Sequence, residues 1–189
     1  MNAHLIALAA HIRKWSPKIN LVAPSTLATI EQRHIQDSIQ LEALLPDTQA
    51  QILDLGSGGG FPGLALVCLG YENLTLVDAD TRKISACRAF LRAQGLQAAL
   101  IAERIERLDI RGFDVVTARA LAPLPQLLTW SVPLLAPQGR CLFLKGAQAT
   151  QEIEGAKKMF DFSYDRHPSL SSSDGCVLEI RDAQIRHQT

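Results

Sequence analysis

Ile52-Leu53-Asp54-Leu55-Gly56-Ser57-Gly58-Gly59-Gly60-Phe61-Pro62-Gly63 is a short apolar run, then a glycine-rich turn, then a proline suited to a first helical turn. Glycine tolerates positive φ and lets a ligand approach the backbone with no Cβ in the way. A strand, a glycine loop and a helix in that order build the nucleotide crevice of a doubly wound sheet, at the carboxyl end of its first strand.

The surrounding chain has the matching period. Apolar runs of strand length recur at Leu74 to Val77, Ala98 to Ala102, Val115 to Ala118 and Cys141 to Leu144. Helical segments lie between them: Pro62 to Leu69, Thr81 to Gln94 with Gly95 at its end, a short stretch around Glu103 to Leu108, and Leu124 to Leu135, which Pro133 kinks or ends early. Strands alternating with helices predict βαβ units and a mostly parallel sheet covered on both faces, an α/β Rossmann-like fold. After Lys145 follow a helix from Gln148 to Met159 and two runs, Asp161 to His167 and Cys176 to Ile180, around a serine-rich turn. The pattern predicts a hairpin at the sheet edge. Upstream, Leu5, Leu8, Ala9 and Ile12 have amphipathic helical spacing. A turn is expected at Ser16-Pro17-Lys18, a second helix capped by Ser25 or Thr26, and a third with Ile35, Ile39 and Leu45 on its apolar face, stopping at Pro46. Residues 1–46 thus read as a helical extension and 47–189 as the core of one compact unit.

Two acids narrow the ligand. Asp54, two residues before Gly56, is badly placed for a diphosphate but suits a cationic ligand. Gly58-x-Gly60-x-x-Gly63 also fits a dinucleotide pattern, so a nicotinamide oxidoreductase is the first rival reading. S-adenosylmethionine carries an ammonium and a sulfonium and no phosphate, so Asp54-Leu55-Gly56-Ser57-Gly58 favours it. Asp78 closes the second strand 22 residues after Gly56, where an acid accepts ribose hydroxyls. It would equally serve as a helix N-terminal charge before Thr81. Ile105 and Glu106 fall where an adenine would lie, although Glu106 would also suit pairing with a neighbouring arginine.

Composition bounds the rest. Nineteen basic and nineteen acidic residues cancel, so nucleic-acid binding needs a local patch. Arg13, Lys14, Lys18 and Arg33 offer one; Arg82, Lys83, Arg88 and Arg92 offer another, and either would equally be a solvated helix face. Four scattered cysteines without a C-x-x-C pair read as reduced, buried thiols, and five scattered histidines give no metal spacing. With no signal peptide and no apolar run long enough to span a bilayer, the expectation is a cytoplasmic, soluble monomer without metal or membrane partner.

Four pieces together resemble one family: Asn20-Leu21; Arg33-His34-Ile35-Gln36-Asp37-Ser38; Asp54 to Gly63; and Ala118-Arg119-Ala120 followed by Leu144-Lys145-Gly146. The chain is similar, over nearly its whole length, to the bacterial 16S ribosomal RNA guanine-N7 methyltransferases known as glucose-inhibited division protein B. The resemblance implies a seven-stranded class I methyltransferase fold with S-adenosylmethionine as cofactor and 16S rRNA or the small ribosomal subunit as partner. It implies cofactor contacts at Gly56, Phe61, Ile105, Glu106 and Arg119, with Asp78 at the ribose; Gly58 of the loop belongs with them. It also places Arg33, His34, Asp37 and Lys145 at the active-site mouth, facing RNA. Two departures are a shorter N-terminal region and Ala79 where the family often has serine.

The motifs that are absent narrow the chemistry. There is no Asn/Asp-Pro-Pro-Tyr clamp for an exocyclic amine after the fourth strand, and no Pro-Cys thiolate for pyrimidine carbon 5. A ring nitrogen such as guanine N7 already presents a lone pair, so transfer to it needs alignment and desolvation rather than a base. Arg119 and Lys145 are the candidates for positioning the base or stabilising charge, with Arg119 also suited to a structural pairing with Asp37 or Glu106. His34 reads as a half-buried helix residue rather than a base. A second rival is a non-catalytic RNA or ribosome-assembly factor on the same fold.

Overall fold

The computed structural model describes residues 1–186. Seven strands form one sheet: β1 (Ile52–Leu55), β2 (Leu74–Val77), β3 (Ala99–Ile101), β4 (Phe113–Arg119), β5 (Leu135–Lys145), β6 (Phe160–Pro168) and β7 (Cys176–Ile185). Their spatial order is β3-β2-β1-β4-β5-β7-β6. The first five are parallel; β7 inserts antiparallel between β5 and β6, so the expected hairpin forms the edge. Order reverses between β1 and β4, and the loops leaving their carboxyl ends splay apart to leave a crevice.

Helices α1 (Ala3–Ile19), α2 (Asp37–Ile39), α3 (Gly63–Cys68) and α4 (Thr81–Gln94) share a core with Ile52, Leu76, Val115 and Leu142. Helices α5 (Leu124–Ser131) and α6 (Ala149–Ala156) cover the other face, against Leu53, Leu55, Val116 and Phe143. Strand alternation explains this division: successive side chains point to opposite faces. It also sends Asp54 to the α3 side, opposite Thr117 in register.

Three N-terminal expectations need correction. The helix does not stop at Ser16-Pro17-Lys18; α1 continues to Ile19 and ends at Asn20 in the left-handed conformation (φ 51°). Ser16 is buried, and its hydroxyl exchanges hydrogen bonds with the Val22 backbone, which holds the last turn together around Pro17. Nor do Ser25 and Thr26 cap a helix. Pro24–Thr26 is a single 3-10 turn, and the Thr26 hydroxyl donates back to the Ala23 carbonyl. The third expected helix is a chain of mixed turns, π-type over Glu31–Gln36, α over α2 and 3-10 over Gln40–Leu44. All four cysteines are buried and unbridged, and burial pushes Cys68, Cys87 and Cys141 up to about 12. Among the described residues no helix is long and apolar enough to cross a membrane, and no cluster could hold a metal ion.

Candidate active site

A cleft of about 1010 Å³ opens over the carboxyl ends of β1 to β5. Of the residues singled out by sequence, Gly56, Gly58, Phe61, Asp78, Ile105, Glu106, Arg119, Arg33, His34, Asp37 and Lys145 all line it. Asp54 does not.

Asp54 lies fully buried beneath the glycine loop. One carboxylate oxygen accepts the Gly63 N–H at 3.0 Å, the other the Thr117 hydroxyl at 3.0 Å. Burial nevertheless raises its pKa to about 6, against the pull of hydrogen bonds from Ser57, Gly63 and Thr117 and the charge of Arg119. An acid aimed directly at a cationic ligand is therefore not what Asp54 provides; it clamps the loop to α3. Gly63 is required for that clamp, because a Cβ there would lie 2.7 Å from the Asp54 carboxylate and 2.9 Å from Leu76. Gly56 is held at φ +63°, and a Cβ would stand 2.5 Å from Leu121 on the opposite wall.

The β1–β3 half of the cleft is acidic. Asp78 accepts the Gly58 N–H at 2.8 Å through one oxygen and the Asp80 N–H at 2.8 Å through the other. The helix-charge role proposed for it belongs instead to Asp80, the N-cap of α4, whose side chain accepts the Arg82 N–H. Glu103 and Glu106 line the same half. Glu106 is exposed and forms no ion pair among the described residues; Arg107 turns to Glu103 at 3.7 Å instead. Asp78, Glu103 and Glu106 surround the glycine cradle, with Lys83 and Arg104 on the same wall, a balance that suits a cationic ligand better than a diphosphate.

The other half, over β4 and β5, is built from distant pieces. Arg119 ends β4 with its guanidinium 5.2 Å from the Phe61 ring centre. Nη2 donates to His34 Nδ1 at 2.6 Å, Nη1 donates to the Arg33 carbonyl at 3.2 Å, and Asp37 stands 3.6 Å away. Of the two structural partners open to it, Arg119 takes Asp37 and not Glu106. An arginine only donates, so His34 Nδ1 is an acceptor and the proton sits on Nε2. Nε2 then donates to Thr26 Oγ1 at 2.7 Å, and Thr26 donates on to Ala23. Burial, then the charges of Arg119 and Arg33, lower His34 to about 4, keeping it neutral. His34, expected to face RNA, is a buried link with both nitrogens occupied; of its motif, Arg33 and Gln36 are exposed.

Lys145 is likewise committed. Its ammonium donates to the Ala122 carbonyl at 2.7 Å and pairs with Glu152 at 2.6 Å, its side chain 8% exposed. It ties the β4–α5 loop to α6 rather than reaching out of the mouth. Sequence reasoning missed Glu152 altogether. It also read the loop after β6 as a simple turn, whereas Ser169 and Ser171 both donate to Asp37 and close one side of the cleft. No local pattern signals either contact.

Of the basic patches, Lys83 and Arg33 reach the cleft wall. Lys18 lies 5.4 Å from the Trp15 ring centre, while Arg13 and Arg82 are paired with Glu31 and Asp80.

Comparison with known proteins finds relatives along nearly the whole chain. The family model described as GidB, rRNA small subunit methyltransferase G, matches residues 1–178. A ribosomal RNA small subunit methyltransferase G from Paramagnetospirillum magneticum is 44% identical over 89% of the chain and 82% of its own length. Its counterpart from Rhodospirillum centenum is 42% identical over 96% and 84%. Among solved structures, a TehB-like SAM-dependent methyltransferase from Corynebacterium glutamicum superposes with a TM-score of 0.64 at 18% identity, covering 90% of this chain and 97% of that one. A glycopeptide N-methyltransferase complexed with S-adenosyl-L-homocysteine gives 0.64 at 13% identity, covering 78% and 89%. These two share the fold.

Proposed function

Because the chain belongs to the GidB family of small-subunit rRNA methyltransferases, we propose that it transfers a methyl group from S-adenosylmethionine to N7 of a guanine in 16S rRNA. The chain is an rRNA methyltransferase, and the acidic, glycine-lined half of the cleft fits its cationic cofactor. Gly56, Gly58 and Asp78 would hold it, with Ile105 and Glu106 along the nucleoside and Phe61 beside Arg119 at the junction with the acceptor half. When bound, S-adenosylmethionine supplies a sulfonium methyl that accepts a nitrogen lone pair.

The observation that carries the guanine-N7 reading is the engagement of His34 and Lys145. Both are already bonded, His34 through two nitrogens and Lys145 through Glu152 and Ala122, so neither stands ready to remove a proton. N7 has none to lose. Its methylation moves the positive charge of the sulfonium onto the base, and no proton has to leave. Arg119, fixed by four neighbours, orients the base. The deciding experiment supplies labelled S-adenosylmethionine with small-subunit particles and naked 16S rRNA from cells lacking the modification. Label at a guanine N7, located by chemical cleavage, is expected; cofactor binding without label in either RNA would defeat the reading. Residues 1–46, a helical extension in this reading, pack against α3 and α4 through α1 and supply His34 and Asp37 to the cleft.

A further inference from the structure

Glu152 has one carboxylate oxygen bound and one open. Oε2 accepts the Leu124 N–H at 2.7 Å and the Lys145 ammonium at 2.6 Å. Oε1 has no hydrogen-bond partner among the described residues. It is not a sealed orphan, since the buried side-chain atoms without partners are His11 Nε2 and Ser131 Oγ. Glu152 lines the cleft with its side chain 18% exposed, on the β4–β5 side, away from the glycine loop. Two fixed donors on one oxygen hold the carboxyl in place, so the second oxygen is a preorganised acceptor on the wall of the acceptor half.

We propose that Glu152 selects the base, its open oxygen accepting a hydrogen bond from the N1–H and N2 amino edge of guanine. The assignment rests on the guanine-N7 reading. A guanine whose N7 is directed to the methyl group turns its donor edge, N1–H and N2–H, to the far side of the pocket. Adenine offers a lone pair at N1 in the same position and would be repelled by a carboxylate. A site built to hydrogen-bond a substrate N–H rejects analogues that lack it, because its own polar group is left unpaired. Glu152 takes no proton in this scheme: one N–C bond forms, one C–S bond breaks, and the electron pair stays with sulfur. Lys145 acts through Glu152 as a positioning residue.

The test compares kcat/KM on substrate RNA carrying guanosine or inosine at the methylated position, for the wild type and Glu152→Gln. Inosine retains N7, O6 and N1–H and lacks only the 2-amino donor. The wild type should prefer guanosine by about tenfold or more, the worth of one hydrogen bond to a charged acceptor. Glu152→Gln keeps an oxygen for Leu124 and Lys145 and should turn an amide donor toward the base, reducing the preference to within about threefold. A wild type that methylates inosine as readily as guanosine overturns the proposal without any variant. So does a Glu152→Gln enzyme, folded at the assay temperature and with unchanged cofactor affinity, that retains the full preference. A wild type that methylates no guanine N7 at all removes the reading on which the assignment rests, and the two failures are distinguishable.

Discussion

The two halves of the cleft are built by different means. The β1–β3 half comes from contiguous sequence: the glycine loop leaves β1 and Asp78 leaves β2, only 20 residues from its Gly58 partner. The β4–β5 half is assembled over long separations, with Arg119 meeting His34 across 85 residues and Ser171 meeting Asp37 across 134. A half made of one loop and one strand end is specified by local backbone demands. One made of charged pairs from four segments depends on the whole fold being in place, and its members fail together.

The largest effect should come from breaking the buried pair on the acceptor side. Lys145→Met leaves Glu152 with the Leu124 N–H alone. Stability should fall by on the order of 3 kcal/mol, as when a buried pair loses one partner. Chemical denaturation measures it, and a loss below about 1 kcal/mol, typical of exposed pairs, would mean the ammonium is not structurally committed. Arg119→Ala separates the halves more finely. Methyl transfer should drop on the order of 100-fold through lost alignment, with cofactor affinity changed much less. Equal losses in both would move Arg119 into the cofactor site.

The smallest effect is a pH dependence. His34 titrates at about 4 in the fold against an ordinary 6.5, so the unfolded chain binds the extra proton between those values. Its contribution to stability is complete above about 6.5 and is lost as pH falls toward 4. Asp54, raised from 3.8 to about 6, acts in the opposite sense: the fold binds its proton more tightly, so that contribution is lost as pH rises from about 4 to 6. Replacing His34 with Gln should therefore remove the term that offsets Asp54, so that the variant loses stability more steeply than the wild type as pH rises from about 4 to 6. Melting curves from pH 4 to 7 that run parallel for both proteins would contradict a neutral, buried His34.

The same contrast explains what was legible in the sequence. β1, β2 and α4 lie where their patterns put them, because alternation, length and the Asp80 and Gly95 caps are local signals. Val115 to Ala118 and Cys141 to Leu144 mark only the continuously buried runs of β4 and β5; exposed Asp114 interrupts the first upstream, and the exposed Pro137-Gln138 and half-buried Gly139-Arg140 interrupt the second. The helix runs through Pro17 because the buried Ser16 hydroxyl, bonded to the Val22 backbone six residues on, holds the last turn despite one missing N–H, a capping contact that the Ser-Pro-Lys turn pattern does not reveal. Nearly every expected site residue reaches the cleft, yet roles diverged. Asp54 carries the expected charge but uses it on the loop, and His34 and Lys145 brace other side chains. Glu152 and the serines at 169 and 171 were unreadable, since each matters only through a partner in another segment.

The division of the cleft is tested most directly by titrating S-adenosylmethionine into Asp78→Asn and Glu152→Gln beside the wild type. Asp78→Asn should weaken binding by roughly 10- to 100-fold, the loss of hydrogen bonds to a charged acceptor, while Glu152→Gln should stay within about twofold. Two variants that bind the cofactor equally well, or lose it to the same extent, would contradict a cleft with separate cofactor and acceptor halves.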